Sequence, residues 1–181
     1  MKRLVLAPHP ALPCATVHLI EAEVERPRAG GLRLRYVVLG DIDRLRLPPP
    51  ATPTRTDDLW KHTCFEAFIR PGAGPAYYEL NLSPSTQWAA YSFEAERTGM
   101  RPADGIAAPR IETRASGDRY ELTAVIDLDL PGDAVCRLGL SAVIEEIDGA
   151  KSYWALAHPA AKPDFHHPDA FTLDLPAPES P

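Results

Sequence analysis

A chain of 181 residues is long enough to bury a core without disulfide or metal staples, and its 45% hydrophobic and 24% charged residues are ordinary for a globular protein. A net charge of −6 with scattered basic residues argues against a nucleic-acid partner, which needs a basic face to displace counterions from phosphates. Twenty prolines disfavour long helices, because proline removes a backbone donor and breaks helix interiors; no run approaches the roughly eighteen apolar residues of a membrane span.

The start, Met1-Lys2-Arg3-Leu4-Val5-Leu6-Ala7-Pro8, has an apolar run shorter than the roughly seven residues of a secretory signal. The expectation is a protein that remains cytoplasmic. Residues 16–25 alternate apolar and polar side chains, and the phase slips at Leu19-Ile20, which predicts a strand carrying a bulge. In residues 32–38 the even positions are apolar while Arg33 and Arg35 face the other way, the mark of a half-buried strand. The proline-rich stretch 47–54 reads as an extended surface loop. Further strands are expected at 64–70, 76–82, 87–93, 108–115, 119–127, 136–146, 151–156 and 170–174. Ser116-Gly117-Asp118 and Asp148-Gly149 predict hairpins. About ten short strands so spaced predict an all-β fold, a two-sheet antiparallel sandwich or a barrel. The whole chain, 1–181, reads as one domain with its core at about 15–175.

Three cysteines, Cys14, Cys64 and Cys136, are too few and too far apart for a disulfide framework or a zinc ribbon. They read as small hydrophobes buried in strands.

The segment 76–82 is the most informative. Tyr78, Leu80 and Leu82 share the core parity, so Tyr77, Glu79 and Asn81 line the opposite face. In 64–70 the apolar Phe65, Ala67 and Ile69 leave Glu66 on the other parity with Cys64 and Phe68. If these strands pair, Glu66, Glu79 and Asn81 converge on one polar patch able to hydrogen-bond hydroxyls. The alternative, a solvated outer face, stays open. Trp60, beside a polar loop, is a candidate stacking platform. Trp154 is a candidate for the opposite wall, with the core as its alternative, and Trp88 reads as core.

The late histidines invite a metal reading through His158, Asp164 and His166. Neither a His-Glu-x-x-His helix nor a Cys-x-x-Cys knuckle accompanies them, and adjacent His166 and His167 do not aim at one point. Structural hydrogen bonding that ties the segment after Pro163 to the sandwich is the expected role. A Gly-x-Ser-x-Gly elbow and a phosphate loop are absent.

The runs Thr56-Asp57-Asp58-Leu59-Trp60-Lys61-His62-Thr63-Cys64-Phe65-Glu66-Ala67-Phe68, Tyr77-Tyr78-Glu79-Leu80-Asn81-Leu82-Ser83-Pro84 and Trp88-Ala89-Ala90-Tyr91 together resemble the DOMON-like superfamily. Tyr153-Trp154-Ala155-Leu156-Ala157-His158-Pro159 and Lys162-Pro163-Asp164-Phe165-His166-His167-Pro168 resemble its bacterial branch associated with UDP-N-acetylenolpyruvoylglucosamine reductase. No flavin domain is present, so reductase activity does not carry over. The resemblance implies an immunoglobulin-like or jelly-roll sandwich that binds a small ligand, and the expectation for this chain is binding without catalysis, without a cofactor and with no membrane association. In that superfamily the ligand is a sugar, as in family-nine carbohydrate-binding modules, or haem. By similarity to the sugar-binding branch, Trp60 stacks, Glu66 hydrogen-bonds, and Glu79 or Asn81 completes the patch on a concave sheet face. The rivals are a haem domain with Met100 and a histidine as axial ligands, a metal-assisted hydrolase centred on His158, Asp164 and His166, and a protein-binding scaffold.

Overall fold

A computed structural model describes residues 2–128 and 135–178. The strands are β1 (Lys2–Pro8), β2 (Val17–Glu25), β3 (Gly31–Gly40), β4 (Cys64–Pro71), β5 (Tyr77–Leu82) and β6 (Trp88–Phe93). They continue as β7 (Arg101–Pro102), β8 (Arg110–Ser116), β9 (Arg119–Asp127), β10 (Cys136–Glu145), β11 (Lys151–Ala155) and β12 (Leu173–Leu175). The helical segments among the described residues are 3-10 turns at 42–44, 59–61 and 168–170; none is long or apolar enough to cross a membrane. The fold is the expected all-β antiparallel sandwich.

One sheet runs β1-β2-β3-β9-β8 and the other β7-β6-β5-β4-β10-β11, with β12 lying beside the start of β10. They share β1. Its residues Lys2–Leu6 pair with β2, whereas Ala7 and Pro8 pair with Ala155 and Trp154 of β11. This strand was not anticipated, because its alternation is short and Val5 points outward at 58% exposure while Leu6 is buried.

The first sheet has one wet face, and there the sequence periodicity is clean. Leu32, Leu34, Tyr36 and Val38 point inward, while Arg35 on the outer face bonds Glu23 at 3.1 Å and Glu121 at 3.0 Å. The phase slip in β2 is a register shift between Val17 and Leu19. The β8–β9 hairpin closes through Gly117, whose φ of +59° suits a residue without a Cβ.

The central strands of the second sheet are buried on both faces. Every residue of Cys64–Ile69 is buried, which obscures alternation in the burial pattern. Its inner face contributes Phe65, Ala67, Leu80 and Leu82 to the main core, whereas Phe68, Tyr77, Tyr91, Phe93 and Phe171 form a second apolar cluster on the outer face. The solvated outer face left open above is therefore excluded. Across the sandwich, the Tyr36 hydroxyl donates to the Glu66 backbone oxygen at 2.6 Å, and the Tyr36 and Phe65 rings lie 5.1 Å apart. That bond fixes the strand bearing the Glu66 side chain from behind. Of the three free cysteines, Cys64 and Cys136 are buried in strands as expected, but Cys14 is half-buried in a loop.

Candidate functional site

A groove of about 920 Å³ crosses the outer face of the second sheet. Its floor follows from strand register. In one cross-strand row β6, β5 and β4 place Tyr91, Glu79 and Phe68 side by side. In the next row Asn81, Glu66 and Ser141 are neighbours. Glu66 and Glu79 are thus diagonal partners, a spacing that long side chains bridge. The parity of both strands predicts their shared face, and the observed pairing of β4 with β5 brings them together.

Glu66 is 3% exposed, and its Oε2 accepts from the Ser141 hydroxyl at 3.0 Å. Burial, followed by the charge of Glu79, pushes its carboxyl up to about 8. Glu79 Oε1 accepts from the Asn81 amide at 2.7 Å. Burial raises its carboxyl as well, opposed by that amide and by the charge of Arg97. Two adjacent buried carboxyls resist ionising together. At neutral pH the pair therefore retains a shared proton, leaving an acid donor next to a carboxylate acceptor.

The walls come from three segments distant in sequence. The first is the 3-10 turn at 59–61, which presents Trp60 at 47% exposure. Asp58 before it adopts φ +65°, a costly backbone state for a side chain other than glycine. Its carboxylate holds Lys61 at 2.8 Å, and Lys61 Nζ lies 5.4 Å from the Trp60 ring centre. Beside it Asp57 accepts from the Tyr91 hydroxyl at 2.6 Å. The second wall carries Arg97, Met100, Arg101 and Pro102, and Arg97 again has a positive φ, +52°.

The third wall is residues 163–166. Gly139 on β10 leaves room for the 3-10 turn at 168–170 that follows it: a Cβ there would meet the Ala170 backbone oxygen at 3.1 Å. Asp164 accepts from the Arg97 guanidinium at 2.7 Å and from the His166 backbone N–H at 3.1 Å. The Arg97 N–H donates to the Tyr77 hydroxyl at 3.2 Å. The Tyr77 hydroxyl lies 2.7 Å from His166 Nδ1 and, with its oxygen accepting from Arg97, donates its hydrogen there. That assignment puts the ring hydrogen on Nε2, which stands 3.7 Å from Glu79. Burial, aided by Arg97, lowers His166 to about 4, so the imidazole is neutral. Asp164 and His166 thus tie this segment to Arg97 and to Tyr77 of β5, whereas His167, expected to share that role, accepts among the described residues only from the Asp169 N–H within its own turn.

Trp60, Glu66 and Glu79 border the groove. Asn81 is fully buried beneath them and acts by orienting Glu79. Trp154 does not form the opposite wall: it lies in the core between the sheets at 3% exposure, with Nε1 donating to Ser152 at 3.0 Å. The β10–β11 register instead sets Tyr153 beside Val143 on the groove side. Trp88 is core, as read from sequence.

The metal candidates scatter. His158 Nε2 donates to the Ala7 oxygen at 2.8 Å and its ring packs on His9, while Asp164 and His166 have the partners just described. Among the described residues no three His, Cys, Asp or Glu side chains gather as an ion requires. Met100 borders the groove with His166, but both nitrogens of that ring face other partners, which does not fit axial ligation of haem.

No family model matches the sequence, and no curated protein matches it either. Solved structures do. A protein of Bacteroides uniformis ATCC 8492, described as a candidate carbohydrate-binding protein, superposes with a TM-score of 0.71 at 13% identity, covering 94% of this chain and 84% of that one. A family 9 carbohydrate-binding module from Caldicellulosiruptor kristjanssonii, in complex with cellotriose, gives 0.51 at 10% identity, covering 86% of this chain and 72% of that one. The chain therefore has the β-sandwich fold of these proteins.

Proposed function

We propose that this chain is a non-catalytic module of DOMON-like type that binds an intracellular sugar or sugar derivative in the groove. The observation that carries the reading is a half-exposed indole, Trp60, beside a buried floor of convergent oxygens at Glu66 and Glu79. A sugar ring has an apolar C–H face that stacks on an aromatic and hydroxyl edges that pair with an acid, a carboxylate or a phenol. Tyr91 and Tyr153 add hydroxyl-bearing rings to the lining. The solved structures of similar fold that are described as carbohydrate-binding support the same reading.

A thermal-shift screen of mono- and disaccharides and nucleotide sugars identifies the ligand. Calorimetry then compares wild type with Trp60→Ala. Loss of the stacking ring is expected to weaken binding by about 1–3 kcal/mol, roughly ten- to a hundredfold. A variant that folds and binds as tightly as wild type removes Trp60 from the site, and the absence of any sugar ligand in the screen refutes the reading.

A further inference from the structure

Resting on that reading, we infer that the sugar bound in this groove carries a free amino group, with Glu66 and Glu79 as its counter-ions. The argument comes from the distribution of charge around the groove. Each arginine of the wall already has a carboxylate: Arg97 holds Asp164 at 2.7 Å and Arg101 holds Glu94 at 2.9 Å. Lys61 is likewise on Asp58 at 2.8 Å. Lys151 at the rim turns its ammonium to the Lys61 backbone oxygen at 2.6 Å.

The floor is the reverse. Among the described residues no lysine or arginine forms an ion pair with Glu66 or Glu79. Their contacts are the Ser141 hydroxyl, the Asn81 amide and the neutral His166 ring. Arg97 acts on Glu79 only from a distance, because its guanidinium is held by Asp164. Among the described residues Asp57 on the wall also pairs with no lysine or arginine, and it accepts from Tyr91.

Buried carboxyls without a cation leave part of their interaction unmade. A hydroxyl ligand can hydrogen-bond them but brings no charge. An ammonium brings one positive charge and three donors, enough to engage Glu66 and Glu79 together and to let both ionise. The rings of Phe68, Tyr91, Tyr153 and Phe165 also line the groove, and aromatic faces attract a cation. Acetylation of the amine would remove the charge and two of those donors.

The test uses matched probes: glucose, galactose and mannose, each with its 2-amino-2-deoxy and 2-acetamido-2-deoxy counterpart. They are titrated calorimetrically into wild type, Glu66→Gln and Glu79→Gln, with melting curves to verify folding. In at least one set the amino sugar is expected to bind about tenfold or more tighter than both counterparts, the range of a charge-assisted bond. That advantage, read in each protein as the ratio of amino-sugar to neutral-sugar affinity, is expected to shrink to about twofold in either variant, even where the substitution also weakens the neutral sugar. Neutral sugars that bind with no gain from the amine, or a gain that survives both substitutions, overturn the inference and leave sugar binding standing. Absence of binding by every probe and by the wider screen overturns both.

Discussion

Replacing Glu66 with glutamine deletes a buried charge site while preserving the side chain's shape and an acceptor for Ser141. The folded-state carboxyl stands at about 8 against an ordinary 4.5, so the folded protein holds this proton more tightly than the unfolded chain does. Stability linked to the group is therefore full below about pH 4.5, declines as pH rises toward about 8, and levels off above it. At about 1.4 kcal/mol per tenfold change, the ceiling on that decline is roughly 5 kcal/mol. Glu79 shares the proton, and the groove admits water, so about 2–4 kcal/mol is the working expectation. The glutamine variant lacks this slope. At pH 5 the two proteins are expected to melt close together, and at pH 9 the variant melts about 5–15 °C higher, given the roughly 2–4 °C per kcal/mol of a chain this size. Differential scanning calorimetry from pH 5 to 9 reads the difference directly. A gap that does not change with pH, or wild type gaining on the variant as pH rises, refutes the buried-carboxyl reasoning.

Trp154→Ala removes a ring from the core between the sheets, and a loss of about 3–5 kcal/mol is expected from urea unfolding; a loss under about 1 kcal/mol would mean that the ring is not packed there. Asp164→Ala breaks the bonds to Arg97 and to the His166 N–H, with about 1–2 kcal/mol and a few degrees of Tm expected. An unchanged Tm would show that this wall is held by other contacts.

The floor of the site was legible because strand parity is a hard constraint: once β4 and β5 exist, Glu66 and Glu79 must leave the core together. Antiparallel register then decided their proximity, and the sequence contains no direct statement of register. Trp154 shows how narrow that margin is. Its neighbour Tyr153 faces the groove, and a phase error of one residue in β11 exchanges a wall residue for a core residue. The walls were barely legible. Asp57 to Lys61, Arg97 to Pro102 and Pro163 to His166 meet only after folding, and they have no periodicity to read. The second apolar cluster also escaped, since Phe68, Tyr77 and Phe171 belong to a face that alternation alone assigns to solvent. The strand β7 holds only Arg101 and Pro102, too short for any pattern.

The division of β1 between the two sheets reaches beyond topology. A sandwich whose sheets meet only through side chains can in principle loosen one layer while the other persists. Here the backbone ladder runs from β8 through β1 to β7 without a gap, and the bonds of Ala7 and Pro8 to β11 share a strand with those of Lys2–Leu6 to β2. Opening either layer at this seam withdraws support from the other, so unfolding at the seam is coupled between the halves, and the groove floor inherits the cooperativity of the whole sandwich rather than of one sheet.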